Sequence, residues 1–173
     1  MPYKRICLSF LIADIALVIT YQVSKSVLGL YHMAYRNAVN YTVYTILGIL
    51  TLAIFVQIIF ILFRLVRKRQ AKPAIRILSG VGITAIIVTI AIAFLQIFIR
   101  GVFGHQPEHI VEKDGRTMLA RVDSFLQVEV RYYEYVNALV RGSRTLIHED
   151  YGNGGYDPFE MENIPDVQRY IYY

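Results

Sequence analysis

Residues 44–65, YTILGILTLAIFVQIIFILFRL, decide the architecture of this chain. Between Asn37 and Phe63 there is no charged residue at all, and a helix of some 20 apolar residues spans the roughly 30 Å of hydrocarbon in a bilayer. A soluble core helix does not reach that length without a polar face. Residues 77–99 form a second uncharged run, ILSGVGITAIIVTIAIAFLQIFI. Two spans are therefore expected at 44–65 and 77–99.

A third span is expected at 6–23, although Asp14 lies near its middle. A central Asp costs about 2.5–3.5 kcal/mol on an insertion scale, whereas each Leu, Ile, Phe or Val returns about 0.3–0.6 kcal/mol. The ten such residues in this segment outweigh the acid. Lys4 and Arg5 resemble the basic start of a signal peptide, but an acid inside the apolar region and the lack of an Ala-x-Ala site argue for a retained helix.

Composition agrees with this reading. Of 173 residues 55% are hydrophobic and only 18% charged, which excludes a disordered or collagen-like chain. The net charge of +5 suggests an acidic partner until it is divided: residues 1–99 carry +9 and residues 100–173 carry −4. The cations concentrate in Arg64, Arg67, Lys68, Arg69, Lys72 and Arg76, with no acid among them. Such a loop belongs on the cytoplasmic side and meets anionic lipid. It lacks interleaved aromatics, so nucleic acid is not expected as a partner. The N-terminus is then cytoplasmic, and the 24–42 loop and everything beyond about residue 100 are extracytoplasmic.

Beyond the third span the periodicity changes from helical to alternating. Residues 108–112 and 116–123 read as strands around a turn in which Gly115 supplies positive φ. Leu126, Val128, Val130 and Tyr132 alternate with Gln127, Glu129 and Arg131, the clearest strand pattern in the chain. Gly142 and Ser143, between residues 136–141 and 144–150, suggest a two-residue hairpin turn. The expected organisation is a three-helix membrane region over 1–100 and a tyrosine-rich antiparallel β domain over 101–173 that ends in an irregular tail. Four or five short strands bury little surface alone, so this domain should lean on the 24–42 loop, the outer leaflet, a second copy or another protein.

Chemistry-bearing residues are few. Asp14 is the sole acid within the spans, and intramembrane acids are functional candidates because they are costly to keep. With no cation in the other spans, it is expected to be largely protonated and hydrogen-bonded across helices, Thr51, Gln57, Thr84 and Thr89 being the available partners. Gly48, Gly80 and Gly82 could permit close helix approach.

In the β domain, residues 149–159, EDYGNGGYDPF, force a tight glycine-rich loop between aromatics. Tyr151, Asn153, Tyr156, Asp157 and Phe159 are its candidate binding residues, because tyrosine joins an apolar body to a polar tip. The acids are not spaced as in a calcium-binding EF-hand loop. His105 and His109 flank Pro107, which disfavours a shared helical face for zinc, and they read as exposed linker residues. His148 reads as a surface or edge residue. A single cysteine, Cys7, allows no internal disulfide. There is no nucleophile elbow, zinc-protease, phosphate-loop or dinucleotide motif, and no cofactor or metal is expected. The favoured function is a non-enzymatic membrane protein that presents its β domain to a protein partner or second copy, as an accessory, protective or assembly subunit. Two alternatives are a proton-coupled or transport complex using Asp14 and an extracytoplasmic metal-dependent enzyme.

Overall fold

The structure is a computed structural model that describes residues 2–67, 72–103 and 106–173. Lys68 and Arg69 of the basic segment, and His105, lie outside these residues. Three long helices lead the chain: α1 (Pro2–Leu30), α2 (Asn37–Arg67) and α3 (Pro73–Phe103). Each contains a stretch apolar and long enough to cross a membrane, at Leu8–Leu30, Asn37–Arg64 and Pro73–Ile99. The helices overrun the expected spans at both ends. Their 29, 31 and 31 residues exceed what about 30 Å of hydrocarbon requires, because a helix loses nothing by continuing into the polar interface.

The chain divides into two units, one of Met1–Tyr21 with Val43–Phe98 and the other of Gln22–Thr42 with Ile99–Tyr173. The first is the helical part, and most of its apolar surface faces outward. Ile54 and Ser79 are among its few buried residues. Helix-to-helix contact is made at particular points. The Tyr21 and Tyr44 rings meet edge-on at 5.8 Å, and a Cβ on Gly82 would stand 3.2 Å from Leu62 Cδ1. Gly48 and Gly80 face open space, so of the three glycines only Gly82 marks a close approach.

The second unit is a curled antiparallel sheet. Its strands are β1 (Met33–Tyr35), β2 (Glu108–Lys113), β3 (Arg116–Asp123), β4 (Gln127–Tyr135), β5 (Val140–Asn153) and β6 (Arg169–Tyr172), ordered β1-β5-β4-β3-β2 with β6 also on β5. Asp114 and Gly115 join β2 to β3 with φ of 52° and 70°, the double positive φ that a tight hairpin needs. The alternation of β4 is observed from Val128 on: Val128, Val130 and Tyr132 are buried with Met118, Ala120, Val122, Ile147 and Tyr151 on one face, whereas Leu126, expected on that face, precedes the strand and is exposed. Leu119 and its cross-strand partner Tyr133 are buried on the other.

Two strands were absent from the sequence reading. The 24–42 loop supplies β1, which pairs Met33, Ala34 and Tyr35 with Gly142, Arg141 and Val140. The tail expected to be irregular supplies β6, which pairs Tyr172 with Ile147 and Arg169 with Asp150.

The expected turn at Gly142 and Ser143 is overturned. β5 runs straight through both residues, and the reversal lies at 136–139, where Asn137 Oδ1 accepts from Leu139 N at 2.8 Å and Val140 N at 2.9 Å. Gly142 is small for another reason. A Cβ there would stand 3.0 Å from Glu134 Cβ, beside an irregularity in the β4–β5 register.

Candidate functional site

Glycine-rich residues 152–155 return the chain over the sheet, and their neighbours are turned inward. The Tyr151 ring is part of the buried core, with Tyr156 and Phe159 packed against it. Tyr156 Oη donates to Tyr151 O at 3.2 Å, and its ring lies where a Cβ on Gly154 would be, 2.4 Å away. Asp157 caps a short 3-10 turn (Pro158–Glu160), accepting from Phe159 N at 3.0 Å, and its other oxygen lies 2.7 Å from His109 Nε2. Asp150 Oδ1 accepts from Gly152 N at 2.8 Å. Of the five candidate contact residues Asn153 alone is exposed; the others plug the inner face.

His109 is therefore no linker residue. It belongs to β2, is half-buried, and its ring sits 5.0 Å from that of Phe159. His148 is not at an edge either, since β5 is paired on both sides of it, with Arg131 and with Ile171. Its Nε2 lies 3.3 Å from Glu129 Oε2, which also accepts from Arg131 Nη2 at 2.8 Å.

The centre of the inner face is Glu149, 1% exposed. The Tyr132 hydroxyl donates to Oε2 at 2.5 Å, the Tyr151 hydroxyl donates to the same oxygen at 2.9 Å, and the Lys113 ammonium pairs with Oε1. That ammonium also lies over the Tyr132 ring at 4.3 Å and the Tyr170 ring at 5.2 Å. A buried carboxylate is tolerated when its lone pairs are met this way. Burial, reinforced by Glu149, raises the pKa of the Tyr132 phenol, and the same causes push Tyr151 up to about 12. Both phenols are thus fixed as neutral donors at physiological pH. The arrangement orders the core of the domain.

The same cluster explains the curl. Lys113 is on β2 and Glu149 on β5, with β3 and β4 between them. On a flat sheet strands three positions apart are about 14 Å distant, beyond the reach of a lysine. The Lys113–Glu149 pair and the His109–Asp157 contact together draw β2 toward the far side. Sequence reasoning missed Glu149 by treating it as the start of an acidic loop. The available signal was its place between Ile147 and Tyr151 on an alternating strand.

On the opposite face, Glu108 Oε2 accepts from Arg36 Nε and Oε1 from Asn37 N, both at 3.0 Å, so one carboxylate ties β2 to the first turn of α2. Asn37 Nδ2 donates to Gln106 O at 3.0 Å, and Gln106 Nε2 to Asp123 Oδ2 at 2.9 Å.

Among the helices, Thr51 Oγ1 donates to Asp14 Oδ2 at 3.5 Å, a long bond. The other expected partners are elsewhere. Thr84 and Thr89 donate to Gly80 O and Ala85 O of their own helix, at 3.1 and 2.9 Å, as a hydroxyl in an apolar helix commonly does. Gln57 lines a hollow of about 240 Å³ with Ile6, Val56, Phe60 and Ile61. Gln57 Oε1 and Asp14 Oδ1 are buried without a hydrogen-bond partner among the described residues. Among the described residues no group of three or more His, Cys, Asp or Glu is gathered to hold a metal ion.

Comparison of the chain with protein-family models, curated proteins and solved structures gives no match.

Proposed function

We propose that this chain is a non-enzymatic integral membrane protein that presents its β domain outside the cytoplasm to a protein partner, as an accessory, protective or assembly subunit. One observation carries the reading. The Glu149 and Asp157 carboxylates are engaged within the domain itself, while tyrosine side chains are exposed at its last strand. Tyr172 is 64% and Tyr173 75% exposed, and β6 pairs only with β5 among the described strands. Exposed tyrosines beside an unpaired strand edge suit protein recognition better than small-molecule capture.

The orientation rests on the basic segment between α2 and α3, which favours a cytoplasmic N-terminus. Pairing of β1 with β5 supports a common side for residues 33–35 and 140–142, as the two spans between them, α2 and α3, require. A photo-crosslinking residue in place of Tyr172 tests the contact in intact cells. The expected result is a defined adduct with another membrane or envelope protein. Adducts with lipid alone, or none, would remove the reading, and an adduct with a second copy would replace it by self-assembly. Protease added outside spheroplasts should cut the β domain.

A second reading draws on Asp14. Its oxygen, without a partner among the described residues, favours an acid that serves a transport or proton-coupled complex. Asp14→Asn separates the two: it should leave partner adducts intact under the first reading and abolish function under the second.

A further inference from the structure

Arg141 of β5 is 8% exposed, which is unusual for a guanidinium without a carboxylate bound to it. Its guanidinium carbon lies 3.8 Å from the centroid of the Tyr133 ring, and Nη1 donates to Gly142 O at 2.9 Å. Nε is buried and has no acceptor. A second guanidinium, that of Arg121, approaches the same ring at 5.3 Å. Burial lowers the pKa of Arg141, and the charge of Arg121 lowers it further.

The acid that acts on Arg141, Glu108, is already committed. Glu108 is the cross-strand partner of Arg121, yet its two oxygens accept from Arg36 Nε and Asn37 N. Two cations thus share one aromatic ring with no carboxylate of their own among the described residues. Buried charges are retained where something pairs with them. A planar fork of N–H donors matches tetrahedral oxyanions, phosphate above all.

The position of the pair indicates the source of such an anion. Arg141 is in register with Ala34, and Arg36 N donates to Leu139 O at 3.0 Å, so this corner of the sheet adjoins the residue just before α2. The apolar stretch of α2 begins at Asn37. Where an apolar span begins, lipid phosphates are concentrated.

We propose that Arg121 and Arg141, around Tyr133, form a binding site for a phosphate oxyanion supplied by a phospholipid headgroup. The site does not depend on the proposed partner contact at β6.

The test uses the full chain in a nonionic detergent, titrated calorimetrically with dihexanoyl phosphatidylglycerol, inorganic phosphate and, as a control without phosphate, dihexanoylglycerol. Saturable binding of phosphatidylglycerol is expected, none of dihexanoylglycerol, and a loss of about tenfold or more in affinity for Arg121→Gln. Arg141→Lys keeps the charge but loses the fork and should weaken binding too. If that variant does not fold, the half-buried Arg121 still decides. Arg144→Gln, an exposed cation on the same strand, should bind as the parent does. Competition by inorganic phosphate would uphold the oxyanion site and assign it to soluble phosphate as well, whereas no competition would assign it to lipid. Absence of saturable binding by both phosphate probes, unchanged affinity in Arg121→Gln, or an equal loss in Arg144→Gln would overturn the proposal.

Discussion

The Lys113 ammonium meets the Glu149 carboxylate although two strands separate them in the sheet. With the His109–Asp157 contact, that pair holds the sheet in its curl. Breaking a buried pair from one side leaves the other charge stranded, which costs about 3–5 kcal/mol. Glu149→Ala should therefore destabilise the β domain by roughly that amount, measured by denaturation in detergent with near-ultraviolet circular dichroism of the tyrosines. Lys113→Met combined with Glu149→Leu should recover part of the loss, since neither charge then remains.

Alkaline pH should act through the two phenols that donate to Glu149. Both have folded pKa values above the ordinary value of 10, with Tyr151 at about 12. Their contribution is fully present below pH about 10 and is lost as pH rises through the folded values, at about 1.4 kcal/mol per pH unit for each phenol. Stability should fall steeply above pH 10, and tyrosinate absorbance from these residues should appear only with unfolding. Tyr151→Phe should flatten the slope; an unchanged slope would count against the assignment.

Asp157 has two structural tasks, capping Phe159 N and facing His109. Asp157→Ala should cost about 1–2 kcal/mol, the range of a lost cap with a partner left behind. Amide exchange at Phe159 should accelerate before that of β3 and β4 does.

The β4–β5 reversal offers a direct contrast. One oxygen of Asn137 accepts two amide protons, so Asn137→Ala should cost about 1 kcal/mol. Ser143→Ala, at the site where the sequence suggested a turn, should change stability by less than about 0.5 kcal/mol.

The three long apolar helices were legible because hydrocarbon demands a length that few other settings demand, and even Asp14 could be weighed against its apolar neighbours. Strand β4 was legible because one of its faces is buried and the other is polar. Gly142 misled because glycine serves equally in turns and where two backbones crowd, and the sequence does not say which. The loop at 150–160 looked like an exposed contact because its residues are polar or aromatic, whereas Tyr156, Asp157 and Phe159 all spend themselves on the domain beneath. Strand β1 could not be seen at all. Three residues carry no periodicity, and its pairing is fixed by a partner more than 100 residues away.

That borrowed strand limits how the protein can be dissected. A fragment comprising only residues 106–173 would have β2 through β6 but nothing on the upper edge of β5, where Val140, Arg141 and Gly142 meet β1. Bare strand edges recruit other strands. Such a fragment should self-associate, and supplying residues 30–37, or tethering them by a short linker, should restore a monomer. The segment between the first two long helices thus completes the sheet.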